Sequence, residues 1–135
     1  MDIALKPFFR KKFILSRSER QFYKILRGLV APNPVLVKVR LADLIEADER
    51  HQLHKENFDA IKAKHIDFLV CDVALSPIIA VELDDSSHHR PDRKARDRDV
   101  DRIFELAALP ILHIPVQRDY SVAEIERELL AKLNR

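Results

Sequence analysis

The chain has 135 residues, 47% of them hydrophobic, which suits one domain with a proper core and excludes a chain disordered throughout. Charged residues make up 34% but nearly cancel to +2, so bulk charge alone does not argue for a nucleic-acid partner. The lone glycine, Gly28, excludes Gly-rich phosphate loops, the lone Cys71 excludes an internal disulfide, and no apolar run approaches the ~20 residues of a membrane span.

The charge is uneven along the chain. Lys6, Arg10, Lys11, Lys12, Arg17 and Arg20 face only Asp2 and Glu19 in the first twenty residues. Residues 1–12 therefore read as a basic arm ahead of a single domain, 13–135. Such an arm suits phosphates or an anionic membrane surface, or is simply a solvated terminus. Ala4-Leu5 and Phe13-Ile14-Leu15 are too short for the apolar core of a signal peptide. A reduced cysteine and the lack of a targeting segment point to the cytoplasm.

Ser16-Arg17-Ser18-Glu19 is a capping box, and Phe22, Ile25, Leu26 and Leu29 follow at helical spacing until Pro32 and Pro34. Val35 to Leu41 alternates as a strand. Residues 42–64 read as a connection holding one short helix, with Leu53, Phe58 and Ile61 at its weak apolar spacing. Two strands come next, Ile66–Val73 and Ile78–Asp84, joined through Ser76-Pro77. Both are apolar on both faces, so they should lie centrally in the sheet. Residues 86–93 read as a loop. A helix over about residues 94–108 turns Val100, Ile103, Phe104 and Ala107 inward. Ile111, Leu112 and Ile114 form a last buried strand between Pro110 and Pro115. A second capping box, Ser121-Val122-Ala123-Glu124, opens a terminal helix with Ile125, Leu129 and Leu133 inward. The order α-β-β-β-α-β-α implies an α/β fold with a mixed central sheet flanked by helices.

The chemistry concentrates at the ends of the two central strands. If Asp72 pairs with Pro77 around a four-residue loop, the same register sets Asp67 opposite Glu82, with Cβ atoms about 5 Å apart. Asp84, two residues beyond Glu82, shares its face. Three carboxylates this close need a counter-charge. Mg²⁺ or Mn²⁺ on Asp67, Glu82 and Asp84 is one answer. Ion pairs with Lys94, Arg98 or Arg102 are the other. His88 suits a ligand or a general acid/base, whereas His89 reads as a solvated loop residue. His51, His54, His65 and His113 show no ligand spacing and read as structural or exposed. Asp99 and Arg102, three apart, can pair on a helix surface.

These residues carry a family likeness. The element order, with an aspartate on the second strand and a Glu-x element on the third, resembles the core of the PD-(D/E)XK restriction-endonuclease-like superfamily. Four segments look like a bacterial domain family of unknown function within that superfamily. They are Leu15-Ser16-x-x-Glu19-x-x-Phe22-Tyr23-x-x-Leu26, Val39-x-Leu41-Ala42-Asp43-Leu44, His65-Ile66-Asp67-Phe68 and Ile79-Ala80-Val81-Glu82-Leu83-Asp84-Asp85-Ser86-Ser87-His88. Arg98-Asp99 and Leu109-Pro110-Ile111-Leu112 fit the same pattern. The likeness spans residues 13–116, and its Glu-x-Asp-x-x-x-His element is similar to that of very-short-patch-repair-type endonuclease domains.

The resemblance implies a metal-dependent hydrolase cutting phosphodiester bonds, with DNA as partner and a homodimer left open. Asp67 and Glu82 would be metal ligands. His88 and the Asp99/Arg102 pair would match the related branch, and Glu19 an acidic position on the first helix. Asp84 stands where that superfamily usually has lysine. Lys94, Arg98 or Arg102 would then supply the cation, or the domain would bind nucleic acid without cutting it. Members often carry an N-terminal membrane segment, which would make residues 1–12 a juxtamembrane remnant or a DNA-contacting arm. A membrane-proximal interaction domain is the third reading.

Overall fold

A computed structural model describes residues 8–85 and 91–134; in the first turns of the helix that begins at Pro91, side chains are described from residue 98 onward. The described elements are α1 (Arg17–Val30), β1 (Val35–Arg40), α2 (Leu41–Leu44), α3 (His54–Ile61), β2 (His65–Cys71), β3 (Pro77–Asp84), α4 (Pro91–Leu106), β4 (Ile111–Pro115) and α5 (Val122–Leu133). The four strands form one mixed sheet in the order β1-β2-β3-β4. β1/β2 and β2/β3 are antiparallel, and β3/β4, joined through α4, is parallel.

Each sheet face carries its own apolar core. Phe22 and Leu26 of α1, and Ile125 and Leu129 of α5, pack on Phe68, Val70, Ile79, Val81, Leu112 and Ile114. Leu41, Ile61 and Phe104, from α2, α3 and α4, pack on Ile66, Leu69, Cys71, Ala80 and Ile111. The sheet is thus a filled middle layer, and β2 and β3 are its central strands, as their continuous apolar runs imply.

One strand pair breaks simple alternation. Val37 and Phe68 face the α1/α5 core, whereas Val39 and Ile66, two residues along, face the opposite one. The switch falls at the row of Lys38 and Asp67, where Lys38 has φ 52. A left-handed residue inside a strand turns the following side chains over, so the backbone of β1 rotates next to the acids.

The ends of the elements correct several expectations. Leu41 belongs to α2 rather than to the strand, because its carbonyl accepts the Ile45 N–H at 2.8 Å in a helical turn, and its side chain is fully buried. The connection 42–64 therefore holds two helices. In α3 only Ile61 is buried, while Leu53 and Phe58 are exposed, and on α5 Leu133 is likewise exposed. Helix α4 begins at Pro91, which has no N–H to lose at a helix start, and stops before Ala107, itself exposed. It closes with two bonds, Leu109 N–H to Phe104 O and Ala108 N–H to Glu105 O, around Ala108 at φ 56. That is a Schellman ending with alanine where glycine is the easy residue.

The β2–β3 turn differs from the expected four-residue loop. Asp72 N–H donates to Ser76 O and Leu75 N–H to Asp72 O, both at 2.9 Å, while Asp72 Oδ1 accepts from Ala74 and Ser76. Leu75 takes φ 66 to close this three-residue connection. Cys71, not Asp72, is the partner of Pro77, and a bulge between Val70 and Cys71 shifts the register by one. Val73 is left exposed in the turn.

Candidate metal and phosphodiester site

Beyond the bulge the ladder runs Val70↔Ile79, Leu69↔Ala80, Phe68↔Val81 and ends there, and Asp67 and Glu82 come next on their two strands. The expected juxtaposition stands although the turn it was built from does not. Here the two carboxylates take over from the backbone. Asp67 N–H donates to Glu82 Oε1 at 2.8 Å, and Leu83 N–H donates to Asp67 Oδ2 at 2.8 Å. Each acid thus accepts the N–H that the ending ladder would leave unpaired. The exchange also holds the two carboxylates side by side.

Burial and the neighbouring Asp67 charge push Glu82 up to about 8. The Asp67 N–H and His113 pull the other way, and Asp84 adds to the rise. Glu82 is a carboxylate that needs a proton or a cation at neutral pH.

Asp84 is held differently. β4 runs parallel to β3 with His113 paired to Glu82. The His113 ring bridges two acids, with Nδ1 3.1 Å and 3.4 Å from the two Asp84 oxygens and Nε2 2.7 Å from Asp101 Oδ1 on α4. The hydrogen bond that His113 donates to Asp84 holds its ring well above the usual imidazole range, to about 9, against the opposing effect of burial and with Asp101 assisting. His113 is therefore cationic at neutral pH, gripped at both nitrogens.

His113, expected to be structural or exposed, is half-buried and bridges a strand carboxylate and a helix carboxylate. The clue was a single polar residue inside the apolar run Ile111-Leu112-His113-Ile114. What hid it was the parallel pairing, which depends on how α4 crosses the sheet.

The remaining expected residues divide. Glu19 Oε1 accepts from the Ser16 N–H at 2.7 Å, so its carboxylate serves the capping box of α1. Arg102 pairs with Glu105 at 3.1 Å on the exposed side of α4, not with Asp99. Arg98 and Asp99 are exposed. His88 and His89 lie outside the described residues, as does the side chain of Lys94.

Among the described residues, no group of three or more His, Cys, Asp or Glu is arranged to hold a metal ion. Asp84 turns to His113, and the Asp67 and Glu82 carboxylates each accept a backbone N–H. The two remaining candidate ligands still fit a Mg²⁺-type ion. Such ions take hard oxygen donors, often only one or two carboxylates, with water and substrate phosphate completing the shell. No described helix is long and apolar enough to cross a membrane.

Comparison with known proteins reaches a domain family of unknown function and no nuclease. An uncharacterized protein of Haemophilus influenzae is 22% identical over 130 residues. The match covers 93% of this chain and 65% of that protein, so the chain spans about two-thirds of its relative's length. No solved structure matches the chain. A family model described as a protein of unknown function, DUF2726, matches residues 11–133, nearly the whole chain, and the protein belongs to that family.

Proposed function

We propose that this protein is a metal-dependent nuclease of the PD-(D/E)XK type, hydrolysing phosphodiester bonds in DNA. The observation that carries the reading is the Asp67–Glu82 pair. Two carboxylates from neighbouring antiparallel strands are held together by exchanged backbone bonds, and Glu82 is displaced to about 8. A pair of this kind is costly as structure alone and economical as a cation site. The α-β-β-β-α-β order of the main elements supports the superfamily assignment.

Asp67 and Glu82 would hold Mg²⁺ or Mn²⁺. Such an ion polarises a phosphoryl oxygen and lowers the pKa of an attacking water. Hydrolysis forms one P–O bond from that water and breaks the bond to a sugar oxygen, which leaves with a proton. His113 would contribute positive charge beside Glu82, near the position from which lysine acts in that superfamily. Asp84 and Asp101 keep its ring oriented and protonated. Asp84 is thereby a positioning residue rather than a ligand.

A second reading has its own support. Asp84 in the place of lysine, and His113 locked between two acids, suit a module that binds nucleic acid without cutting it. Cleavage of supercoiled and linear DNA in Mg²⁺ or Mn²⁺ separates the two. Hydrolysis by the wild type that disappears in Asp67→Asn supports the enzyme. Hydrolysis unchanged in Asp67→Asn refutes the site, and DNA binding with no hydrolysis favours the module.

A further inference from the structure

The segment before α1, residues 8–16, carries exposed apolar side chains interleaved with cations. Phe8 and Phe9 are 78% and 86% exposed, and Phe13 and Ile14 are exposed as well. Arg10, Lys11 and Lys12 stand between the rings. The far end of the segment is anchored. Leu15 is buried, Arg20 Nη1 donates to the Leu15 carbonyl at 2.8 Å, and the Arg20 guanidinium lies 3.7 Å from the centre of the Phe13 ring. Phe13 is thus a fixed ring backed by a cation, while Phe8 and Phe9 reach into solvent.

The anchor sits at the end of the sheet that carries the acids. A cleft of about 590 Å³ lies between the first turn of α1, with Arg17 and Gln21, and the loop after β4, with Gln117, Arg118 and Asp119. Ser18 Oγ and Tyr120 OH, 2.8 Å apart, fasten its two walls together. The first residue of that loop, Val116, donates its N–H to the Asp84 carbonyl at 2.8 Å. The arginine-walled cleft therefore adjoins the end of β3 that carries Asp84, and the aromatic and basic segment runs into its α1 wall.

We infer that the Phe8–Phe13 segment and the Arg17/Arg118 cleft bind single-stranded nucleic acid and lead an unpaired strand toward the Asp67–Glu82 end of the sheet. Rings in an irregular segment stack on bases only where those bases are unpaired, while the cations follow the phosphates. A duplex would use the cations and leave the rings idle. An anionic membrane surface is the less suitable partner, because residues 8–16 form no helix with one apolar face. The strand's destination rests on the nuclease reading, but the binding does not.

The test is fluorescence anisotropy with the full chain, without metal, using labelled oligothymidylate, a duplex of equal length, and vesicles of neutral and anionic phospholipid. The single strand should bind more tightly than the duplex at equal salt. Replacing both Phe8 and Phe9 by Ala should weaken the single strand about tenfold or more and leave the duplex unchanged. Arg17→Ala with Arg118→Ala should weaken both and flatten the salt dependence. Equal or tighter duplex binding, an ineffective phenylalanine double variant, or arm-dependent capture by anionic vesicles without oligonucleotide binding would each overturn the inference. Binding as described without metal-dependent cleavage would defeat only the hydrolytic reading. Cleavage that ignores the phenylalanines would defeat only this one.

Discussion

Replacing Glu82 with Gln should make the protein more stable in alkali and leave it almost unchanged in acid. Gln keeps an oxygen for the Asp67 N–H, so the 2.8 Å bond survives, and only the charge is lost. Glu82 sits at about 8 in the folded protein against 4.5 for an ordinary glutamate. A raised folded value means that its favourable contribution is complete below about pH 4.5 and is lost as pH rises through about 8. A gap of about 3.5 between those two values corresponds to about 5 kcal/mol at the upper limit, and water reaching the site reduces it to about 2–3 kcal/mol. Urea denaturation from about pH 5 to about pH 9, with a chelator present, should show the Gln variant gaining stability over wild type across that window. A gap that does not change with pH would refute the burial cost of the Glu82 charge. With Mn²⁺ at the alkaline end, the wild type should recover and the variant should not.

The other predictions concern the scaffold and His113. Ala108→Gly should stabilise by about 1 kcal/mol, because φ 56 strains alanine at the end of α4, and thermal melting checks it. Asp101→Asn should lower the pKa of His113 below its present value of about 9, followed by NMR titration of the imidazole; an unmoved value would show that the 2.7 Å contact does not form in solution. Ser16→Ala should cost about 1 kcal/mol by removing the cap on Glu19 N–H, read from the denaturation midpoint. Phe68→Ala should cost about 3–5 kcal/mol, because the fully buried ring packs 5.3 Å from Phe22; a cost under about 1 kcal/mol would contradict the described core.

Apolar periodicity was sufficient for the main architecture. Alternation and capping boxes located α1, α5 and the central strands, since local pattern and burial agree there. The Asp67–Glu82 pairing was legible for a less secure reason. The expected register holds at Phe68↔Val81 only because the bulge at Val70/Cys71 absorbs the one-residue difference introduced at the turn. Nothing in Val70-Cys71-Asp72 announces a bulge, and Leu75 in a left-handed conformation replaces the glycine that would have marked the turn.

Asp84 was legible as a neighbour of Glu82 but not as the partner of His113. Its role depends on β4 lying parallel beside β3 and on α4 presenting Asp101 to the same ring. Both are tertiary facts without a local signal. Arg102 misled for the opposite reason: helical spacing allows Asp99 or Glu105 as its partner, and the exposed face of α4 favours Glu105. The positive φ of Lys38, which turns β1 over beside Asp67, likewise has no counterpart in an otherwise regular Val-Lys-Val alternation.

The account turns on Asp67 and Glu82 forming one cation site together. Calorimetric titration of the full chain with Mn²⁺ tests that directly, comparing wild type with Asp67→Asn and Glu82→Gln. Both substitutions keep an oxygen for the backbone bonds, so the fold is preserved. Saturable binding in the wild type should be lost in each variant. Saturable binding that survives both substitutions, or none in the wild type, would contradict it.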